Sequence, residues 1–86
     1  MYARASCGYC TRARQLLARK GVAFTEINVE LVPGARLEMQ QRSGRNTVPQ
    51  IFVGDRHLGG FDDIDALDAR GELDPVLAGA GAAQSD

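Results

Sequence analysis

The chain has 86 residues, of which 44% are hydrophobic and 24% are charged, and its formal net charge is −1. This composition is typical of a single small globular domain. No apolar run approaches the ~18 residues that a transmembrane helix needs, so we expect no membrane partner.

The small net charge hides an asymmetry between the two halves of the chain. Residues 1–45 carry eight basic and three acidic side chains, whereas residues 46–86 carry two basic and eight acidic ones. Few aromatic residues and no nucleic-acid-binding motif accompany the basic half, so we expect it to attract anionic small molecules rather than nucleic acid. The N-terminus also lacks the apolar core of a signal peptide, which predicts a protein of the reducing cytoplasm.

The first half of the chain predicts two strands and two helices. Residues 2–4 form a short candidate strand, and residues 7–20 follow as an amphipathic helix that Gly21 ends. Residues 22–29 have the apolar pattern of a second strand. Pro33 suits the first position of a second helix, which runs to about residue 42.

The second half predicts a hairpin and a further helix. Residues 50–53 and 57–59 are two short strands, and the residues between them are typical of a tight turn. Asp62 or Asp63 caps a third helix, which Gly71 ends.

The resulting order, βαβαββα, predicts an α/β fold with a four-stranded mixed sheet and helices on both faces. A last helical turn at residues 74–77 would complete one domain that covers residues 1–77. The small, polar residues 78–86 are predicted to form a flexible tail.

Cys7 and Cys10 are the only cysteines, and two residues separate them. Because the predicted helix begins here, the Cys7 thiol would face unpaired backbone N–H groups and the positive end of the helix dipole, and both favour the thiolate. Arg4 could add a cation beside it. The thiolate is the attacking species in disulfide exchange, so we interpret Cys7 as the nucleophile and Cys10 as the resolving thiol of a redox-active disulfide.

Two other uses of the cysteines are less favoured. A zinc site needs about four ligands, and the chain offers only His57 beside the two thiols. A purely structural disulfide would close a very short loop and would remove little chain entropy. The sequence therefore favours redox or thiol chemistry and predicts no metal site in the main interpretation.

Four blocks, in this order along the chain, resemble the glutaredoxin family, and in particular the small bacterial glutaredoxins with two active-site cysteines. The blocks are Cys7-Gly8-Tyr9-Cys10, Thr47-Val48-Pro49, Gly59-Gly60-Phe61-Asp62-Asp63 and Ala66-Leu67-Asp68-Ala69-Arg70-Gly71. The resemblance implies a thioredoxin fold. It also implies a glutathione-dependent thiol–disulfide oxidoreductase that reduces protein–glutathione mixed disulfides and protein disulfides.

The resemblance places the cysteinyl unit of glutathione along Thr47 and Val48, with its sulfur next to Cys7. In the family the peptide bond before the proline that matches Pro49 is cis, and the backbone of the residue before it pairs with glutathione. Without the neighbouring blocks, Pro49 would be interpreted as an ordinary loop proline ahead of a strand.

The γ-glutamyl end of glutathione would be held by Gly60, Phe61, Asp62 and Asp63. We expect the Asp62 N–H to bind its carboxylate and the Asp63 carboxylate to bind its ammonium group, although the two aspartates could exchange these roles. Both could equally serve as helix caps, and capping does not prevent binding.

The resemblance implies that cations bind the glycine carboxylate of glutathione. Arg4 stands where the family usually has a lysine, and Arg36 matches a position on the second helix that reaches the same carboxylate. Arg36 could instead be only solvated. Tyr9 is expected to pack against the ligand, and His57 is interpreted as a surface or half-buried residue without a chemical role.

Three departures from the family pattern stand out. Gly8 replaces the usual proline between the cysteines, and Asn46 stands where some relatives have an arginine that helps bind glutathione. The predicted first strand is also short, which should lower stability or leave neighbouring strands partly unpaired. A start codon assigned too late would explain the short strand equally well.

Two alternative functions accompany the main interpretation. One is a dimer that carries a [2Fe–2S] cluster, with Cys7 of each copy and two glutathione sulfurs as ligands. The other is a thioredoxin-like reductant served by a flavoprotein reductase. Without a cluster, we expect a monomer that acts on glutathionylated or disulfide-containing proteins.

Overall fold

A computed structural model describes residues 1–84, with side-chain positions for residues 1–78. The elements follow the order β1, α1, β2, α2, β3, β4, α3, α4. The strands are Tyr2–Ala3 (β1), Ile27–Asn28 (β2), Ile51–Val53 (β3) and Arg56–Gly59 (β4). The helices are Gly8–Arg19 (α1), Ala35–Ser43 (α2), Phe61–Ala69 (α3) and Leu73–Gln84 (α4). The predicted alternation of strands and helices is confirmed.

The four strands form two pairs instead of one continuous ladder. β1 runs parallel to β2, with Tyr2 opposite Ile27, and β3 runs antiparallel to β4. Within residues 1–84, a single isolated antiparallel bridge between Tyr2 and Gln50 joins the pairs, through backbone hydrogen bonds of 2.9 and 3.0 Å. The expectation that a short first strand leaves its neighbours partly unpaired therefore agrees with the structure.

The predicted second strand, residues 22–29, is wrong in its extent. Strand β2 contains only Ile27 and Asn28, because β1 supplies only two residues to pair with it. Residues 22–26 have no regular secondary structure, and the side chain of Phe24 is 39% exposed.

Helix α2 begins at Ala35, two residues later than predicted. The side-chain oxygen of Asn28 accepts the backbone N–H groups of Glu30 and Leu31, and the Asn28 carbonyl oxygen accepts those of Leu31 and Val32. These bonds hold the chain in a turn after β2, so Pro33 precedes the helix instead of opening it.

Helices pack on both sides of the two strand pairs, as predicted, through two separate clusters of buried side chains. On one face, α1, α3 and α4 contribute to a cluster of buried residues with β3: Ala13, Leu16, Ile51, Ile64 and Leu73. On the other face, α2 packs on β1 and the residue after β2 through Tyr2, Val29, Ala35 and Met39. Burial of this apolar surface is the main force that holds the helices to the sheet.

Helix α4 is longer than the predicted last turn, which ended at Leu77. The helix continues to Gln84, so a segment that was expected to be a flexible tail has helical backbone. Ser85 and Asp86 lie outside the described residues. The domain boundary at residue 77 stays a prediction. No helix in the described part of the chain is long and apolar enough to cross a membrane.

The single bridge between the strand pairs determines where the functional blocks meet. Strand β1 leads into Cys7, and Val48 and Pro49 lead into Gln50. Because Tyr2 pairs with Gln50, the segment that follows β1 and the segment that precedes β3 lie side by side.

Candidate active site

Cys7 is the N-cap residue of helix α1. Its backbone is extended (φ −135°, ψ 117°), and its Sγ accepts the backbone N–H of Cys10 at 3.3 Å. Its carbonyl oxygen accepts the N–H of Thr11 at 3.0 Å. The predicted start of the helix at the cysteine pair is confirmed, and the Cys7 sulfur faces the N–H groups that stabilise a negative charge.

The surroundings shift the pKa values of the two thiols in opposite directions. Partial burial of Cys7 favours its thiol form, but hydrogen bonds from the side chain and backbone of Cys10, from Arg4 and from the Tyr9 backbone together lower the pKa of Cys7 below its usual 9.0. Burial of Cys10, followed by its hydrogen bond to Cys7, raises the pKa of Cys10 to about 11. Both cysteines are free thiols, with Cys7 half-buried and Cys10 buried. The thiolate therefore forms first on Cys7.

The segment Thr47 to Pro49 lies next to Cys7. The peptide bond between Val48 and Pro49 is cis, as the family resemblance implied. The Cys7 Sγ lies 3.8 Å from the Val48 carbonyl oxygen, to which its thiol form can donate. Thr47 is exposed, Val48 is half-buried and Pro49 is buried, so the first two residues present an accessible edge beside the sulfur.

The block from Gly59 to Asp63 forms the N-terminus of helix α3. Its N-cap residue is Gly60, so the predicted start at Asp62 or Asp63 is wrong, and both aspartates lie in the first turn. A Cβ atom at Gly60 would lie 3.3 Å from the Pro49 carbonyl oxygen, so the two segments are in close contact. Asp62 is exposed and lies in the first turn of the helix. A negatively charged ligand group at this N-terminus would meet backbone N–H donors.

The Asp63 carboxylate accepts two hydrogen bonds, one from the backbone of this block and one from Arg45. Its Oδ2 accepts the Gly60 N–H at 2.9 Å and an Arg45 nitrogen at 3.0 Å. The Gly60 bond, followed by the Arg45 bond, lowers the pKa of Asp63. Gly59 has a φ of 110°, and a Cβ at this position would overlap the Asp63 carboxylate. Only glycine therefore fits where the chain passes under this side chain.

Two aromatic side chains lie at the rim of the site. Tyr9 is 54% exposed, and its ring centroid lies 6.3 Å from that of Phe61. The Arg12 guanidinium stands 5.7 Å from the centre of the Tyr9 ring. The structure thus brings Tyr9 of the cysteine block next to Phe61 of the glycine block.

The predicted basic residues are placed less uniformly. Arg4 is exposed, and its carbonyl oxygen accepts a nitrogen of Arg14 at 3.1 Å. Arg36 is half-buried and donates to the Asn46 side-chain oxygen at 3.1 Å. Asn46, a departure from the family pattern, therefore holds Arg36 beside Thr47.

Sequence reasoning missed two residues around the site, Arg45 and Gln50, and gave His57 no chemical role. Arg45 reaches Asp63, and His57 lies 2.6 Å from the buried Gln50, whose amide in turn bonds Thr47 at 3.1 Å. No motif spacing pointed to them, since Arg45 and Asp63 meet only when two separate loops pack together. A polar residue directly after the conspicuous Pro49 was the one available signal for Gln50.

Comparisons with known proteins agree on one family. The family model described as "Glutaredoxin" matches residues 1–58. The chain is 53% identical over 77 residues to "Glutaredoxin 3" of Escherichia coli, with 90% of this chain and 93% of that protein covered. It is 49% identical over 78 residues to "Glutaredoxin" of Pseudomonas aeruginosa, with 91% of this chain and 93% of that protein covered.

Solved structures give the same result. A buckwheat glutaredoxin–glutathione complex superposes with a TM-score of 0.86 at 29% identity, over 93% of this chain and 76% of that chain. A solution structure of glutaredoxin from Brucella melitensis superposes with a TM-score of 0.77 at 56% identity, over 88% of this chain and 83% of that chain.

Proposed function

Because the chain belongs to the glutaredoxin family, whose members have the thioredoxin fold and are glutathione-dependent thiol–disulfide oxidoreductases, we propose that Cys7 is its nucleophile and Cys10 its resolving thiol. The observation that carries this assignment is the position of the Cys7 sulfur. It lies at the start of α1, 3.3 Å from the Cys10 N–H and 3.8 Å from the Val48 carbonyl oxygen.

With a protein–glutathione mixed disulfide, the Cys7 thiolate attacks the glutathionyl sulfur. A Cys7–glutathione disulfide forms, and the S–S bond to the protein breaks and releases the protein thiolate. A second glutathione thiolate then attacks the glutathionyl sulfur on Cys7. Glutathione disulfide leaves, and the Cys7 thiolate is restored.

With a protein disulfide, Cys7 attacks one of the two protein sulfurs and forms a mixed disulfide with it, while the protein S–S bond breaks and releases the first protein thiolate. Cys10 then loses its proton and attacks the Cys7 sulfur, so a Cys7–Cys10 bond forms, the Cys7–protein bond breaks and the second protein thiolate is released. Two glutathione molecules then reduce this bond and leave as glutathione disulfide. The high pKa of Cys10, about 11, keeps it protonated until this step.

The proposed glutathione pose follows the edge beside Cys7. The cysteinyl unit lies along Thr47 and Val48 ahead of Pro49, as in strand addition, with its sulfur at Cys7. Its main support is that Thr47 is exposed and that the Val48 carbonyl oxygen lies 3.8 Å from the sulfur.

The γ-glutamyl group of glutathione lies at the N-terminus of α3, against Gly60 and Phe61. The Asp62 N–H binds its carboxylate, and Asp63 binds its ammonium group through Oδ1, since both described hydrogen bonds to Asp63 use Oδ2. Exchange of these two roles is the alternative. Both aspartates lie in the first turn of α3, which supports either assignment.

The glycine end of glutathione, and one side of the molecule, lie against residues from the basic first half of the chain. Arg4 and Arg36 bind the glycine carboxylate, and Tyr9 packs along the ligand. The contact of Arg36 with Asn46, next to Thr47, supports this placement. The protein would act as a cytoplasmic monomer on glutathionylated or disulfide-containing proteins.

The [2Fe–2S] carrier is the less favoured alternative, since relatives named for glutaredoxin activity match this chain. No group of three or more His, Cys, Asp or Glu in the described residues could hold a metal ion. One copy would therefore supply only Cys7, and the cluster would need a second copy and glutathione sulfurs to complete its four thiolate ligands. At Gly8, between the thiols, a Cβ would meet nothing within 4 Å, so no bulky group lies beside the Cys7 ligand.

Turnover of a glutathionylated peptide tests the proposal. We expect activity with glutathione and glutathione reductase, and none with thioredoxin reductase. Cys7→Ser should abolish it, because the other thiol, Cys10, is buried and its pKa is raised to about 11, whereas Cys10→Ser should retain it and lose most reduction of protein disulfides. Equal losses in both variants on the glutathionylated peptide would overturn the assignment of the thiols.

A further inference from the structure

Among the described residues, one polar side chain is buried, that of Gln50, which is 1% exposed. A buried amide is costly unless both of its ends are hydrogen-bonded. Here the Gln50 Nε2 donates to Thr47 Oγ1 at 3.1 Å, and the Gln50 Oε1 lies 2.6 Å from His57 Nε2. One side chain thus connects Thr47, the residue before Val48, to His57 on strand β4.

His57 is held firmly at its end of this connection. Its ring stacks on Phe52 with centroids 4.8 Å apart and an interplanar angle of 29°. Because Gln50 Oε1 can only accept, His57 must carry a proton on Nε2 and donate it. Burial, followed by the charge of Arg45, lowers the pKa of His57, whereas Asp63 acts in the opposite direction. The neutral ring with its proton on Nε2 is sufficient for this bond.

Thr47 needs such support because residues 44–49 have no regular secondary structure. The carbonyl oxygen of the next residue, Val48, lies 3.8 Å from the Cys7 Sγ. A shift of Thr47 would therefore move the backbone that faces the reacting sulfur.

We propose that His57 is a positioning residue of the active site, which holds the Thr47–Val48 edge in place for glutathione through the buried side chain of Gln50. His57 touches neither thiol, and its effect passes through two hydrogen bonds. The inference rests on the proposed glutathione edge at Val48 and adds a residue on a different strand to it.

The matched pair His57→Phe and His57→Gln tests this proposal. Phenylalanine keeps a ring to stack on Phe52 but has no donor, whereas the glutamine amide can place a donor near the position of His57 Nε2. We expect His57→Phe to raise the KM for a glutathionylated peptide about fivefold, which corresponds to the loss of one neutral hydrogen bond, with kcat nearly unchanged. His57→Gln should stay within about twofold of the parent.

A double-mutant cycle with Thr47→Val tests the path of the effect. Valine has the shape of threonine without the acceptor oxygen, so it breaks the same connection at its other end. Once Thr47→Val is present, adding His57→Phe should raise KM no further. Independent, additive increases would show that His57 does not act through Gln50.

Nitrogen-15 NMR of the His57 ring gives a readout that does not depend on turnover. We expect the tautomer with the proton on Nε2, and we expect the Nε2–H signal to shift in Gln50→Met. A ring protonated on Nδ1 would overturn the donor order. A loss of thermal stability in His57→Phe with an unchanged KM would reduce His57 to a purely structural residue.

A separate titration distinguishes failure of this inference from failure of the proposed site. In Cys7→Ser, glutathione disulfide should shift the Val48 amide resonance whether or not His57 is changed. If Val48 does not respond, the proposed glutathione edge is wrong. If Val48 responds but His57→Phe leaves KM unchanged, the edge is supported and the positioning role of His57 is wrong.

Discussion

At the scale of single residues, the chemistry depends on how differently two similar thiols are surrounded. Cys7 accepts a backbone N–H at the start of α1, whereas Cys10 is fully buried one turn later. The same chain segment therefore lowers the pKa of one thiol and raises that of the other. Spacing in sequence brings the thiols together, but burial separates their roles.

The first prediction concerns the pH dependence of alkylation. In Cys10→Ser, the rate of reaction of Cys7 with iodoacetamide should rise with pH around a midpoint below the usual thiol value of 9.0. In Cys7→Ser, Cys10 should react slowly, with a midpoint above 9.0, because burial is the largest cause of its raised pKa. Stopped-flow or mass-spectrometric rates should place the Cys7 midpoint below 9.0 and show the Cys10 rate still rising as the pH approaches about 11. The reverse order of midpoints would contradict the assignment of Cys7 as nucleophile.

At the scale of elements, the N-termini of two helices define the site, and each follows its own N-cap residue. Helix α1 begins at Gly8 directly after its cap Cys7, and α3 begins at Phe61 after Gly60. Gly8 is the first helical residue, a position that favours proline, and its φ is not in the left-handed region. The glycine between the cysteines is therefore not required by the backbone.

The second prediction follows from this position. Gly8→Pro should raise the free energy of unfolding by about 0.4–1 kcal/mol, because proline restricts the unfolded chain and fits the first turn of a helix. The extended backbone of Cys7, with ψ 117°, already suits a residue that precedes proline. Chemical denaturation would measure the change, with Gly8→Ala as the control that adds a Cβ but not the ring. A lower stability of Gly8→Pro would show that the N–H or the flexibility of Gly8 is needed.

The third prediction concerns the Asp63 cap of α3. Asp63→Ala removes the acceptor of the Gly60 N–H and should cost about 1 kcal/mol at neutral pH. Because the folded-state pKa of Asp63 lies below its usual 3.8, this contribution is fully present above about pH 4 and is lost as pH falls through the folded-state value. Thermal unfolding of the parent and of Asp63→Ala should therefore converge in acid.

Asp62→Ala is the matched control for this cap. Asp62 is the neighbouring exposed carboxylate, and no hydrogen bond in the described part of the chain involves its side chain. Its replacement should change stability little. An equal loss in both variants would indicate a general effect of negative charge at the helix N-terminus instead of a specific cap.

At the scale of the whole molecule, features that depend on a local sequence pattern were predicted better than features that depend on the pairing of distant strands. Helix α1 begins at the cysteine pair and ends at Arg19, close to its predicted boundaries, because its apolar period and terminal glycine act locally. The extent of β2 could not be predicted in the same way. It depends on the length of its partner strand β1, whose residues lie 25 positions earlier in the sequence than the residues they pair with.

The candidate site divides along the same line. The cysteines and the cis peptide bond at Pro49 were predicted from contiguous blocks. The His57–Gln50 contact was not, because it depends on the pairing of β3 with β4, in which His57 lies opposite Phe52 and a register shift between Ile51 and Phe52 places Gly59 opposite Ile51. Sequence patterns carry no information on such a shift until the two strands are aligned.

The single bridge between the strand pairs has a mechanical consequence. Cys7 continues from one pair and Val48 leads into the other, and Tyr2 and Gln50 join the two. Tyr2 is also clamped from the side, because its hydroxyl contacts both Glu38 and Arg42 of α2. A small shear of one pair past the other therefore changes the gap between sulfur and carbonyl oxygen directly, with no intervening strand to absorb it. How easily the distance between the Cys7 sulfur and the Val48 carbonyl oxygen changes is therefore determined by the Tyr2–Gln50 bridge and by the helices packed over it.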